Sequence, residues 1–170
     1  ERTLFLIPLY QRKYAWQRKH CERLFDDLVK VYRDNRRSHF FGSIVSVRAN
    51  EVDDDLLIID GQQRITTISL LILAAIKAYK DGYITCEAGD EYVEDMRNKY
   101  LIAKYRRGDR KIKLRPIESD RVAYDALITG DEDKFVSADK SGITLNYQLF
   151  YELLKLNQLS FDELIEAIER

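Results

Sequence analysis

The chain has 170 residues, enough for one domain with a real core or for one domain and the start of another. Its 28 Lys+Arg against 29 Asp+Glu leave a net charge of -1, so bulk charge selects neither a nucleic acid nor a membrane surface as partner. Two cysteines, Cys21 and Cys86, exclude a disulfide-stapled scaffold and fit a reducing cytoplasm, and the longest apolar stretch, 65–76, falls short of the about 20 residues a membrane span needs. The first residue is Glu1 rather than Met and the last residues read as helix, so the chain reads as a piece of a longer protein.

In chain order, residues 4–9 are apolar with Pro8 near the end, which suits an extended edge segment. Cys21, Leu24, Phe25, Leu28, Val31 and Tyr32 recur at helical spacing and predict an amphipathic helix over 17–34. Residues 40–47 are rich in β-formers and predict a strand. The run 56–59 is short and wholly apolar, as in a central strand. Residues 65–79 are apolar on most faces and predict the buried helix of the core. A helix over 91–100 follows, then strands over 101–105 and 111–117 joined through Arg107-Gly108-Asp109 as a hairpin. A short helix over 120–128 stops near Gly130, Leu145 to Leu154 mark another, and Ser160 with Glu163 forms a capping box for the last. The expected class is α+β, a small mixed sheet with helices over 1–118 followed by a helical part over 119–170.

The strongest local feature is the run Leu56-Leu57-Ile58-Ile59-Asp60-Gly61-Gln62-Gln63-Arg64-Ile65-Thr66-Thr67. An apolar strand passes through Asp-Gly straight into a buried helix. Gly61 permits a sharp turn and close approach of a ligand to the backbone. The first N–H groups of a helix lack intrahelical partners and carry the positive end of its dipole, which makes an anion site. Arg64 adds a planar fork of donors suited to phosphate, Thr66 and Thr67 add hydroxyls, and Asp60 can orient Arg64 or hold a metal-bound water. The same residues also read as a plain glycine turn, with Asp60 capping the helix and Arg64 in a surface ion pair.

A second feature is Ile7-Pro8-Leu9-Tyr10-Gln11-Arg12-Lys13-Tyr14-Ala15-Trp16. In an extended chain Tyr10, Tyr14 and Trp16 share one face, and Gln11 and Lys13 the other. Aromatic anchoring in the core accounts for Tyr14 and Trp16. It leaves Gln11 and Arg12 unexplained.

These two motifs, with Phe41-Gly42-Ser43-Ile44 between them and Asn146-Tyr147 and Phe150 later, closely resemble in order and spacing the N-terminal domain of the GmrSD modification-dependent restriction endonucleases. The resemblance implies a ParB/sulfiredoxin-like core and a nucleoside triphosphate, with Mg2+, as ligand and substrate. It implies DNA as a target and an HNH-type nuclease domain elsewhere. His20 and His39 are the two histidines, and neither stands in an HNH-like cluster. Carried over by position, Asp60, Gln62, Gln63 and Arg64 form the hydrolytic set. Gln11, Arg12, Ser43, Gly61, Arg64, Thr66 and Thr67 bind the nucleotide. Gln62 or Gln63 orients the attacking water, and the choice stays open.

The segment 97–115 concentrates cations, among them Arg106, Arg107, Arg110, Lys111 and Lys113, with Tyr100 and Tyr105 interleaved. It reads as a DNA phosphate-tracking surface or as a solvated hairpin. Asp53, Asp54 and Asp55 lack the spacing of a calcium loop, and no dedicated metal site is expected. Glu132-Asp133-Lys134 sits in a polar loop and is set aside as a nuclease signature. Cys21 falls on the core face of its helix. The leading function is NTP binding and hydrolysis in an anti-phage restriction protein acting on modified DNA. Its rivals are a ParB-like DNA-nicking nuclease and a non-enzymatic DNA-binding or regulatory module.

Overall fold

The computed structural model describes residues 3–38, 40–50, 54–103, 112–130, 141–157 and 159–170. Among them are four short strands and six helices, an α+β arrangement. The strands are β1 (Phe5–Leu6), β2 (Val45–Arg48), β3 (Leu56–Asp60) and β4 (Leu114–Arg115). The helices are α1 (Arg18–Arg33), α2 (Gln62–Lys80), α3 (Gly89–Tyr100), α4 (Glu118–Thr129), α5 (Gly142–Asn157) and α6 (Phe161–Glu169).

The sheet order is β2-β3-β1-β4. β1 runs parallel to both neighbours, with Phe5 opposite Leu56 and Leu114, whereas β2 and β3 pair antiparallel. The expected edge position of residues 4–9 is therefore overturned: β1 is interior. Only Phe5 and Leu6 form the ladder, and Pro8, which has no N–H to donate, lies beyond it. The expected strand over 40–47 shrinks to Val45–Arg48 because Gly42 takes φ +93°, outside the strand region. Of the expected hairpin, an antiparallel bridge between Ile102 and Ile112 is present; its tip, 104–111, lies outside the described residues, as do His39 and Glu132 to Lys134.

α2 is buried along most of its length, with Leu70, Leu71, Ile72, Ala74 and Ala75 fully enclosed. It packs against α5, while α1 packs against α6 and α5. Residues on both sides of position 118 share one hydrophobic cluster, from Leu24, Phe25 and Leu28 through Leu70 and Tyr124 to Phe150, Phe161 and Leu164. Cys21 is buried in it, and burial pushes its thiol up to about 11. The Ser160–Glu163 capping box starts α6 as its sequence predicts. No described helix is long and apolar enough to cross a membrane.

Phe25 is fully buried where α1 meets the C-terminal helices. Phe25→Ala is expected to lower unfolding free energy by about 3–5 kcal/mol in urea denaturation. A loss below about 1 kcal/mol would show that α1 and the C-terminal helices are not one cooperative core.

Candidate anion-binding site

β3 delivers its chain end at Asp60, and Gly61 turns it into α2 with φ +92°. Glycine is required twice over. That φ is strained for any other residue, and a Cβ would stand 3.0 Å from Ile44 Cγ1 and 3.1 Å from the Ile44 Cα and the Ser43 carbonyl oxygen. No side chain caps α2, in contrast to the capping boxes of α1 and α6. Its first N–H groups and the positive end of its dipole therefore face the turn.

Arg64, in the first turn, reaches back over Gly61. Its Nη2 donates to the Ser43 carbonyl at 2.6 Å and to Asp60 Oδ2 at 3.3 Å. The guanidinium lies so close to Gly42 that a Cβ there would sit 2.9 Å from Cζ and Nη1. The Nε is buried without a hydrogen-bond partner. Phe41-Gly42-Ser43-Ile44 thus forms the seat of Arg64 and Gly61: one glycine makes room for the guanidinium and the other for the segment itself.

Residues 7–16 form an arm across the same turn. Gln11 Nε2 donates to the Ile59 carbonyl at 2.8 Å, and Gln62 Nε2 to the Arg12 carbonyl at 3.2 Å. Gln63 holds the arm at both ends of its amide: Nε2 donates to the Lys13 carbonyl at 3.2 Å, and Oε1 accepts from the Ala15 N–H at 2.8 Å. The Tyr14 N–H donates to Asp120 Oδ2 at 2.6 Å.

Below the arm, Asn146 Nδ2 donates to the Tyr14 hydroxyl at 3.1 Å and to the Trp16 carbonyl at 2.8 Å. The Tyr14 hydroxyl lies 2.8 Å from Thr67 Oγ1, which itself donates to the Gln63 carbonyl at 2.7 Å. Because the threonine proton is committed, the tyrosine is the donor of that pair, and the protons run in one direction from Asn146 through Tyr14 and Thr67. Burial pushes the Tyr14 hydroxyl well above the ordinary phenol range, so it stays protonated in this role.

The arm and turn enclose a polar cavity of about 160 Å³. Gln11, Arg12 and Trp16 line it from the arm, and Asp60, Gly61, Gln62, Gln63 and Arg64 from the turn. Two guanidiniums face one carboxylate, and Arg12 has no ion-pair partner among the described residues. The excess positive charge and the uncapped helix start suit an anion. Among the described residues no group of three His, Cys, Asp or Glu side chains could hold a metal. Asp60 alone can therefore contribute a Mg2+ ligand only alongside oxygens of a bound phosphate.

Of the residues expected at the site, Gln11, Arg12, Asp60, Gly61, Gln62, Gln63 and Arg64 come together here. Ser43 does not line the cavity but supports Arg64 through its carbonyl. Thr66 and Thr67 are buried; Thr66 lines a narrow crevice of about 10 Å³ beside Asp120, and the Thr67 hydroxyl is engaged by Tyr14 and Gln63. Lys113 departs from the expected DNA-facing surface. It is 2% exposed, and its Nζ donates to the Lys99 carbonyl at 2.5 Å, because its backbone is held between Phe5 and Leu101 just before β4. Arg106, Arg107, Arg110 and Lys111 lie outside the described residues. Trp16 is the cavity residue that sequence reasoning assigned to the core alone. Its half-buried ring serves both, packing on the core and tilting against His20 at 5.8 Å.

Gln63→Ala is expected to free the arm. Protection of the amides over 7–16 should fall in hydrogen exchange, and stability should drop by about 1–3 kcal/mol because the Ala15 N–H and Lys13 carbonyl lose their partner. A Gln63 that served only to orient water would leave both unchanged. A search of curated proteins finds no match. The family model described as the GmrSD restriction endonuclease N-terminal domain matches residues 1–170, and the chain belongs to that family.

Proposed function

We propose that this chain is the nucleotide-binding and hydrolysing module of its restriction system, taking a nucleoside triphosphate with Mg2+. The observation that carries this reading is the convergence of Arg12, Arg64 and the uncapped start of α2 on one small polar cavity. At about 160 Å³ the cavity is smaller than the roughly 300–1,000 Å³ of whole-ligand pockets, so it suits the phosphates rather than the entire nucleotide.

In this reading Arg64 and Arg12 clamp phosphate oxygens from the turn and the arm. Both cations neutralise charge that grows on the transferred group. Mg2+ entering with the nucleotide would be held by Asp60 from the protein side and would supply charge neutralisation. Asp60, whose side chain is 67% exposed, stands where a carboxylate can meet a metal-bound water or the attacking water. Gln62 is favoured over Gln63 as the residue that orients water. Gln63 spends both ends of its amide on the arm, whereas Gln62 commits its Nε2 to the Arg12 carbonyl and keeps Oε1 available. In this reading modified DNA is the target of the whole system, which the family's restriction-endonuclease context supports, and an HNH-type nuclease domain or subunit, which the sequence resemblance implies, carries out cleavage.

Arg64→Ala and Arg12→Ala are each expected to weaken NTP binding by about 1.5–3 kcal/mol, on the order of tenfold or more. Asp60→Asn should keep binding and lose phosphate release. Trp16 is the single tryptophan and lines the cavity, so its fluorescence reports binding directly. Unchanged NTP affinity in folded Arg12→Ala and Arg64→Ala proteins would refute the assignment.

Replacing Arg106, Arg107, Arg110 and Lys111 by Glu is expected to reduce DNA affinity and flatten its salt dependence while sparing NTP binding. The chain alone should leave supercoiled plasmid intact with Mg2+ and each NTP. Nicking that disappears in Asp60→Ala would instead make the chain itself a nuclease.

A further inference from the structure

Arg64 borders a second cavity as well, and this one is of opposite character. It measures about 500 Å³. Ile65, Ile68 and Ile72 line it from α2, Phe41 and Ile44 from the segment that seats Arg64, and Tyr100 from the end of α3. Three polar side chains at its border, Tyr100, Lys99 and Ser69, are engaged within the protein. The Tyr100 hydroxyl and the Lys99 ammonium both donate to Glu169, and Ser69 Oγ donates to the Ile65 carbonyl. An apolar space of this size, with aromatic rings in its wall, meets the polar cavity at a single arginine.

We propose that this apolar cavity is the base subsite of the nucleotide whose phosphates occupy the Arg12–Arg64 cavity, an inference that rests on the nucleotide reading above. Three observations commit it to that occupant. The polar cavity has room for phosphates and not for a nucleoside, so the rest of the ligand must lie beside it. Arg64 lines both spaces, so the guanidinium assigned to the phosphates also borders the apolar cavity. The lining offers flat apolar contact with rings of Phe41 and Tyr100, which suits the face of a heteroaromatic base. The Ser69 and Tyr100 hydroxyls spend their protons within the protein and Lys99 is drawn to Glu169, so contact area more than edge recognition sets base preference. Purines therefore bind better than pyrimidines, and adenine and guanine are separated weakly.

The test compares inorganic tripolyphosphate, which carries the phosphates alone, with ATP, GTP and CTP in calorimetric titrations with Mg2+. Two variants act on the apolar cavity and leave the polar one intact: Ile68→Trp, which fills it, and Tyr100→Leu, which removes a wall ring. Thermal melting verifies that each is folded. The parent is expected to bind ATP and GTP at least tenfold more tightly than tripolyphosphate, with CTP between. Each variant should lose most of that advantage while its tripolyphosphate affinity stays within about twofold of the parent. Equal affinity of the parent for ATP and tripolyphosphate, or a nucleotide advantage that survives in both folded variants, overturns the base subsite and leaves the phosphate site standing. Failure of the parent to bind either class of ligand overturns the nucleotide reading itself.

Discussion

The two-ended hydrogen bond of the Gln63 side chain is the constraint on which the site depends. Its amide receives an N–H and meets a carbonyl from residues two apart on the arm, Ala15 and Lys13. Gln63 is 8% exposed, so either end left unmade would bury an unsatisfied polar group. The side chain therefore fixes the path of the arm backbone, and with it the place of Arg12 and Trp16 over the turn. Because Gln63 stands in the first turn of α2, the same rigid element that carries Arg64 also carries the fastener of the opposing wall.

The buried chain Asn146–Tyr14–Thr67 extends that fastening into the body of the fold. It joins α5, the arm and α2 through groups whose donors and acceptors match in one direction. α5 is also the helix that packs along α2. The C-terminal helices thus support the site even though none of their residues line the polar cavity. Glycine plays the complementary part on the other wall. Gly42 and Gly61 are placed where any Cβ would push on Arg64 or on the Ser43–Ile44 backbone, so the strand end, the seat and the arginine fit one another by the absence of side chains.

The cavity and its neighbour differ in chemistry. Cations and free helix N–H groups meet in the small space, and aliphatic and aromatic side chains form the large one, with Arg64 at the border. That separation is what an amphipathic ligand requires, since charge and flat apolar surface are bound by unlike surroundings. Donors at the turn of an interior strand into a buried helix would need little reorganisation to meet an anion, because both elements are locked by the core.

Much of this was legible in the sequence. Helical spacing, the apolar run 56–59 and the capping signals at Ser160 and Gly130 are local properties, and α1, α2, α4 and α6 with β3 follow from them. Asp-Gly between a strand and a helix marks a sharp turn at a helix start by itself, whereas whether Asp60 caps that helix was open in the sequence and the structure shows no side-chain cap. Distant partners decided the rest. Residues 4–9 occupy an interior position because the crossover topology sets two parallel neighbours beside Phe5 and Leu6, which a motif with a proline does not announce. Lys113 is drawn inside because its backbone bonds to Phe5 on one side and Leu101 on the other, partners far away in sequence. Thr66 and Thr67 share a motif with Arg64 but face other sides of α2, since successive helical residues point about 100° apart. Gln62 and Gln63 are adjacent and alike in chemistry. Only the folded arm distinguishes Gln63, bound to it at both ends of its amide, from Gln62, bound to it through Nε2 alone.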